Sequence, residues 1–233
     1  MISRSENSVY ILCIETANSI TSVAVSRNGD CLHSIEVLEP NKAADVLHVL
    51  IEQLLSEAHL SFKDLNAIAI SAGPGSYTGL RIAAAAAKGY CFSLDIPLIA
   101  IPTLQAMVNG VQTRYHQTSF DEFMPMIDAR RMEVFTSIYA KDQTAIQVFP
   151  SLIIDEEFQK LFFPDKKYLL FGNGAFKAKF NTIVDTIVVM KDFVPSSKDL
   201  CLLAFSAYTT QNFNDIAYFE PSYTKAFYTT AAK

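Results

Sequence analysis

The sequence contains few glycine, proline and cysteine residues. It has 8 Gly and 9 Pro among 233 residues, which excludes a collagen-like or linker-dominated protein. Its 4 Cys stand far apart and form no CxxC pair, so a disulfide framework is not expected. Basic residues are also scarce, because 19 Lys and Arg stand against 24 Asp and Glu, a formal charge of −5. Such a chain is a poor stand-alone binder of nucleic acid, which requires clustered positive charge.

Long hydrophobic runs are missing as well. The run at residues 9–14 is too short for the core of a signal peptide or a membrane span, and the run at 82–87 is bounded by Arg81 and Lys88. We therefore expect a cytoplasmic protein with no membrane anchor and no membrane partner. Half of the residues are nevertheless hydrophobic (50%), with 17 Phe and 10 Tyr, which is enough to bury a core and excludes a disordered chain.

The signatures of several enzyme classes are absent. The 4 His make neither HExxH nor HxxxH, so no metal site is expected. GxSxG, which places a nucleophilic serine on a sharp turn, does not occur. Neither a Walker A loop nor the dinucleotide-binding GxGxxG is present. The sequence therefore disfavours metalloproteases and serine hydrolases.

Two similar successions of elements divide the chain into two α/β lobes. Each begins with three predicted strands in a meander, and the first strand ends in a carboxylate, Glu15 or Asp128. Helices and further strands then follow, so each lobe is predicted to be a mixed sheet with flanking helices. We place the N-terminal lobe at residues 1–103 and the C-terminal lobe at 104–233, with a final segment that can pack back on the first lobe.

A glycine turn at residues 73–79 separates a predicted strand from a predicted helix. Free N–H groups and the helix dipole at such a position can hold an anion. Alternatively, the glycines only let one backbone pass close to another, and the hydroxyl side chains cap the helix. The candidate anion or nucleotide contacts are Gly73, Gly75, Ser76, Thr78 and, from the second lobe, Asp128.

The two helices predicted in the first lobe, at residues 43–58 and 80–94, are apolar over more than one stripe. They are either buried on both sides within the chain or expose a patch for a partner. The alanine run of the second helix offers a smooth surface to another helix. The candidate interface residues are Val46, Leu47, Leu50, Leu54, Arg81, Ala83, Ala84, Ala87 and Lys88. Of these, Arg81 and Lys88 lie near the edge of the patch and are candidates for setting specificity.

Four segments resemble the TsaB (YeaZ) family. Residues 69–90, AISAGPGSYTGLRIAAAAAKGY, are similar to its GPGSFTGLRIG-xx-AKGL signature, and residues 10–29 resemble its ILAIDTS…CSVAL opening. Residues 125–135, PMIDARRMEVF, resemble its MDARRGEVY segment, and residues 220–225, EPSYTK, its P-x-YLR segment. The long string GPGSYTGLR is far more specific than a glycine pattern alone.

The resemblance implies an actin-like (ASKHA, ribonuclease H-like) fold. It also implies a non-catalytic scaffold and dimerisation subunit in the synthesis of N6-threonylcarbamoyladenosine at position 37 of tRNA (t6A37). Such a subunit binds and activates a TsaD-like catalytic subunit through the two first-lobe helices and works with a TsaE-like ATPase. It forms a homodimer in isolation and reaches tRNA only through the complex. No cofactor is required by the chain itself, while ATP or ADP is expected at the complex or weakly in the interlobe cleft.

The sequence differs from related catalytic folds at several positions, and alternative roles for these residues and for the chain stay open. The turn after the first strand, which begins at Glu15, lacks the glycine of the phosphate-binding Asp-x-Gly-[ST] turn, so autonomous nucleotide hydrolysis is not expected. Asp128 either mimics the second-lobe carboxylate of a kinase-like cleft or serves a turn. Lys42 stands where the family often has histidine and receives no role. An independent ATPase or small-molecule kinase, and a homodimeric binding module, are the alternative functions.

Overall fold

The repeat of element order appears in space as two five-stranded sheets with the same strand order. A computed structural model describes residues 8–39, 42–178 and 185–223. In each sheet, an antiparallel meander of three strands is extended on its other side by two strands parallel to its first strand. This arrangement confirms the predicted α/β fold of two similar sheets.

The first sheet is formed by the N-terminal part of the chain, in the order β3-β2-β1-β4-β5. Its strands are β1 (Tyr10–Glu15), β2 (Thr21–Arg27), β3 (Asp30–Val37), β4 (Ala67–Ser71) and β5 (Leu98–Ile101). The helices α1 (Ala43–Glu57) and α2 (Tyr77–Leu94) pack together against one face of this sheet. Asn28 and Gly29 both have positive φ in the β2–β3 hairpin, as their sequence predicts.

The second sheet has the order β10-β9-β6-β7-β8. Its strands are β6 (Glu122–Asp128), β7 (Glu133–Ala140), β8 (Ala145–Ile153), β9 (Tyr168–Phe171) and β10 (Ile187–Met190). The helix α3 (Thr103–Thr113) covers one face of the sheet. The other face packs against the short 3-10 segments Glu156–Leu161 and Ala175–Lys177.

The last helix, α4 (Cys201–Thr209), returns to the first sheet and covers the face opposite α1 and α2. A 3-10 turn, Ser197–Leu200, precedes α4, and the Ser196 hydroxyl caps this turn by accepting from the backbone N–H of Lys198 at 3.2 Å. The helix α3 lies at the junction, because its Ala106 packs in the first-sheet core and its Met107 in the second. The first sheet thus ends with β5 and the second begins with β6, whereas α4 packs on the first sheet.

Residues 214–223, which we call the C-terminal strap, run from β5 to the glycine turn. At its start, the backbone N–H of Asn214 donates to the Leu98 carbonyl at 2.8 Å, and the Asn214 side-chain oxygen accepts from the N–H of Ala100 at 2.8 Å. At its end, the N–H of Ser222 donates to the Ala72 carbonyl at 2.7 Å. Phe219 packs against the core between these points. The strap therefore forms part of the first lobe.

Candidate functional site

The glycine turn, residues 73–79, lies where the two lobes and the C-terminal strap meet. Gly73 has φ +104° and exchanges two hydrogen bonds with Thr103, the first residue of α3: the Gly73 N–H donates to the Thr103 hydroxyl at 3.0 Å, and the Thr103 N–H to the Gly73 carbonyl at 2.9 Å. A β-carbon on Gly73 would overlap the Ser222 carbonyl oxygen. Glycine is needed here both for its positive φ and for the close approach of the strap.

The other two glycines of the turn pack against the loop between β1 and β2. β-Carbons on Gly75 and Gly79 would overlap the carbonyl oxygens of Ala17 and Thr16. Two hydrogen bonds hold the loops together: the Ser76 N–H donates to the Ala17 carbonyl and the Thr16 hydroxyl to the Gly79 carbonyl, both at 2.7 Å. Of the two roles open from the sequence, close approach of backbones is the one that this geometry displays.

The hydroxyl side chains of the turn differ in their surroundings. Ser76 is the N-cap of α2, because its Oγ accepts from the N–H of Gly79 at 3.3 Å. Thr78 lies exposed in the first turn of the helix. The cap confirms the structural role expected for Ser76, while anion contact by this turn stays a prediction.

Glu15, at the end of β1, directs its carboxyl group into the protein and is 1% exposed. One carboxyl oxygen accepts from the backbone N–H of Ala17 at 2.6 Å, and the other accepts from the hydroxyl of Ser71 at the end of β4. Burial raises the pKa of Glu15 from 4.5 to about 7, although both hydrogen bonds oppose this rise. The carboxyl group therefore serves to join two strand ends.

Asp128, at the corresponding end of β6, is exposed and forms a turn. Its Oδ1 accepts from the Arg130 N–H at 2.6 Å and pairs with the Lys177 ammonium group. Its own N–H donates to the Asn173 side-chain oxygen at 2.9 Å. These partners all belong to the second lobe and favour the interpretation of Asp128 as a turn residue.

Six of the candidate interface residues need correction, because they form part of the chain's own core. They are 0–7% exposed and pack between the helices and the first sheet. These residues are Leu47, Leu50, Leu54, Ala83, Ala84 and Ala87. Val46 is partly buried against the same cluster. These residues are apolar because α1 and α2 cover the first sheet. A partner that docks on the folded chain therefore contacts residues on the outer sides of the two helices.

The outer faces of α1 and α2 present a different set of side chains. On α1, Val49 is 63% exposed, and on α2, Phe92 is 82% exposed. Ala85 and Gly89 are exposed on α2 between its ends, and a β-carbon on Gly89 would meet no atom within 4 Å. We call the outer surface of α1 and α2 the helix-pair face.

Arg81 and Lys88 bind the C-terminal strap rather than standing free at the edge of the helix pair. The Lys88 ammonium group donates to the carbonyls of Ala217 and Phe219 at 3.3 and 2.9 Å. The Arg81 guanidinium lies 4.5 Å from the Tyr77 ring centroid and donates to the Tyr223 hydroxyl at 3.3 Å. The sequence contained no signal for these contacts, since the partners are 129 to 142 positions apart. Thr224 and Lys225 of the EPSYTK segment lie outside the described residues.

Two histidines of the first lobe have defined partners. The His33 Nε2 lies 2.5 Å from Glu57, and the His48 Nδ1 lies 2.7 Å from the Tyr90 hydroxyl, which joins α1 to α2. Lys42 is exposed before α1, with its ammonium group 3.9 Å from Asp45.

Within residues 8–39, 42–178 and 185–223, no three His, Cys, Asp or Glu side chains form a group that could hold a metal ion. No helix in these ranges is long and apolar enough to cross a membrane.

The two sheets of identical order, joined at the glycine turn, define an actin-like protein of two lobes. The activator of 2-hydroxyisocaproyl-CoA dehydratase from Clostridium difficile has this fold, with a TM-score of 0.51 and 8% identity over 89% of this chain and 99% of that one. YeaZ from Pseudomonas aeruginosa matches more closely, with a TM-score of 0.75 and 23% identity over 92% of this chain and 99% of that one.

Sequence similarity identifies the family within this fold. A family model described as "TsaD: tRNA N6-adenosine threonylcarbamoyltransferase" matches residues 41–225. The tRNA threonylcarbamoyladenosine biosynthesis protein TsaB of Buchnera aphidicola subsp. Acyrthosiphon pisum is 30% identical over 201 residues, which cover 82% of this chain and 86% of that protein. The chain therefore belongs to the TsaB (YeaZ) family.

Proposed function

We propose that this chain is the non-catalytic scaffold and dimerisation subunit of a t6A37 synthesis complex in the cytoplasm. It binds and activates a TsaD-like catalytic subunit, works beside a TsaE-like ATPase and reaches tRNA only through the complex. Alone, it forms a homodimer. One observation carries this proposal. In this member of the TsaB family, the chain's own backbone fills the space beside the glycines of the glycine turn, where a phosphate would otherwise bind.

The helix-pair face is the surface that we assign to the catalytic subunit. Its exposed Val49 and Phe92 are large apolar side chains, and apolar surface of this kind marks protein interfaces when it is contiguous. The buried leucines and alanines support the face from below. The partner contact is thus proposed for the outer residues of the same two helices that the sequence singled out.

Charge supports a division of labour between the subunits. The chain carries a formal charge of −5, and binding of tRNA phosphates requires clustered Lys and Arg. The basic surface and the catalytic groups are therefore assigned to the partner. The chain itself requires no cofactor, and binding of ATP or ADP belongs to the complex or, weakly, to the interlobe cleft.

An independent ATPase or small-molecule kinase is not favoured. Backbone of the β1–β2 loop occupies the space beside Gly75 and Gly79, where a phosphate would have to approach. Glu15 is turned inward and hydrogen-bonded within its own lobe. Isothermal calorimetry with ATP and a turnover assay on the chain alone test this alternative, and measurable hydrolysis would support it.

Mass measurement by light scattering tests the scaffold role. The purified chain mixed with its cognate TsaD-like subunit is expected to form a heterodimer at micromolar concentration. Ala85→Arg on the helix-pair face is expected to weaken this association at least tenfold, because a charge enters the seam. Ala145→Arg is the matched control, since Ala145 is exposed on β8 of the other lobe. The absence of any heterodimer would overturn the proposal, and equal binding by both variants would overturn the assignment of the face.

A further inference from the structure

Two cysteines of the first sheet point to the same face of that sheet. Cys13 of β1 stands opposite Ala24 of β2. Cys31 of β3 stands opposite Ser26 of β2. Because alternate residues of a strand point to one face, Ala24 and Ser26 mark the same side of the sheet. Ala24 packs in one core cluster with residues of α4, so this side is the one that α4 covers.

A third cysteine reaches this face from the helix. Cys201, the first residue of α4, is 2% exposed and packs in the core cluster that contains Cys13. The hairpin that leads to Cys31 packs against the same end of α4, because a β-carbon on Gly29 would lie 3.5 Å from Cδ1 of Leu202. The Cys31 thiol interacts with the Cys201 thiol, and the Cys201 thiol interacts in turn with that of Cys13. Strand register and helix packing thus bring three thiols together.

The three thiols differ in their access to solvent. Cys31 is exposed, whereas Cys13 and Cys201 are buried. Contact with Cys201 and removal from water raise the pKa of the Cys31 thiol, and contact with Cys13 raises the pKa of the Cys201 thiol. Both thiols are therefore protonated near neutral pH and react slowly as nucleophiles. The reduced cluster is the resting form, and a reagent that arrives from solvent meets Cys31 first.

We propose that Cys31 is a redox-modification site for a small-molecule disulfide such as oxidised glutathione, with Cys201 as the resolving thiol. In the first step, the Cys31 thiolate attacks one sulfur of the small molecule, which breaks its S–S bond, forms a mixed disulfide and releases one small thiol. In the second step, the Cys201 thiolate attacks the Cys31 sulfur, forms an internal disulfide and releases the second small thiol. Two cysteine sulfurs are oxidised, the small disulfide is reduced, and the two cysteine protons leave on the two small thiols.

The internal disulfide joins β3 to α4 across a segment that contains the whole second sheet. Its two Sγ atoms must approach to about 2.05 Å. Cys31 can supply this movement because it lies next to a hairpin, on an edge strand. A cross-link between positions so distant in sequence restricts the unfolded chain, so the oxidised chain is expected to melt roughly 5–10 °C higher than the reduced chain. The inference concerns the chain alone and does not rest on the proposed function.

A redox titration of the purified chain tests the assignment. The chain is equilibrated with mixtures of reduced and oxidised glutathione, the remaining thiols are blocked with N-ethylmaleimide, and linked peptides are identified by mass spectrometry. We expect a linkage between Cys31 and Cys201 that is reversed by dithiothreitol and accompanies the rise in melting temperature. A linkage between Cys13 and Cys201 instead, or no internal linkage in excess oxidised glutathione, would overturn the proposal.

Single variants separate the two steps. Cys201→Ala is expected to stop at the mixed disulfide, with one glutathione bound to Cys31. Cys31→Ser is expected to bind no glutathione and to melt at the same temperature in both buffers. Cys91→Ala is the matched control, because Cys91 is buried in the core cluster on the other face of the sheet, and it should form the internal disulfide as the unchanged chain does.

Melting curves of the reduced variants by circular dichroism show that each of them folds. Substitution of the exposed Cys31 should not prevent folding, so this variant keeps the test decisive if Cys201→Ala is unstable. Glutathione uptake or a rise in melting temperature in Cys31→Ser equal to that of the unchanged chain would assign the oxidation to other thiols and would overturn the proposal.

Discussion

Arg114 and Asp199 form a bidentate ion pair where the chain returns from the second lobe to the first. The Arg114 Nε donates to Oδ1 at 2.5 Å and its terminal nitrogen to Oδ2 at 3.0 Å. Arg114 follows α3, whereas Asp199 lies in the 3-10 turn before α4. The Asp199 side chain is 1% exposed, and a β-carbon on Gly110 would overlap it. The pair therefore fixes α4 against the helix at the lobe junction.

Arg114→Met is expected to destabilise the fold by about 3–5 kcal/mol, because it leaves a buried carboxylate without its counterion. The free energy of unfolding in urea measures this loss. Lys160→Met is the matched control, since its ion pair with Glu157 has both side chains 71% exposed and is expected to contribute less than about 1 kcal/mol. Equal stability of the two variants would contradict the role given to the buried pair.

Strands and helices were predictable because their local patterns agree with their tertiary positions. The meander strands, both first-lobe helices and the hairpin at Asn28 follow from periodicity and turn chemistry. Strand β8 continues through Pro150 to Ile153. This is possible because β8 is an edge strand, where a missing N–H costs no ladder hydrogen bond.

The site could be predicted only in part, because it depends on contacts between residues that are far apart in the sequence. Leu47 and Ala83 were correctly recognised as lying on apolar helices, but periodicity alone cannot tell a face that covers a sheet from one that meets another subunit. Arg81 and Lys88 were placed on the right helix, while the carbonyls and the hydroxyl that bind them lie on the strap. Backbone acceptors carry no sequence signal, so these contacts required the structure.

Gly79 and Gly89 lie on the same helix and predict opposite effects of the same substitution. Gly79→Ala is expected to lower the free energy of unfolding by about 1–3 kcal/mol, because its β-carbon would overlap the Thr16 backbone. Gly89→Ala is expected to raise it by up to about 1 kcal/mol, because the site is open and alanine favours a helix interior. Denaturation of both variants in urea provides the comparison. A loss of stability in Gly89→Ala matching that in Gly79→Ala would contradict the packing described for the glycine turn.

Glu15 predicts a pH dependence of stability that Glu15→Gln should remove. Burial raises the pKa of this carboxyl from 4.5 to about 7, and Asp199 adds to the rise. Between these values the folded chain holds a proton that the unfolded chain has released, so the free energy of unfolding falls as pH rises through this window. The stabilising contribution is complete below pH 4.5 and is lost above pH 7.

The change corresponds to on the order of 3 kcal/mol. Gln keeps an oxygen to accept from Ala17 and cannot ionise, so the stability of Glu15→Gln relative to the unchanged chain should increase by about this amount from pH 5 to pH 8. The free energy of unfolding in urea is measured for both proteins at four pH values across that range. The difference between the two proteins cancels the contributions of the titrating groups that they share. Parallel profiles would mean that the carboxyl group is already ionised at pH 5 in the folded chain, in which case its contacts with Ser71 and Ala17 outweigh burial.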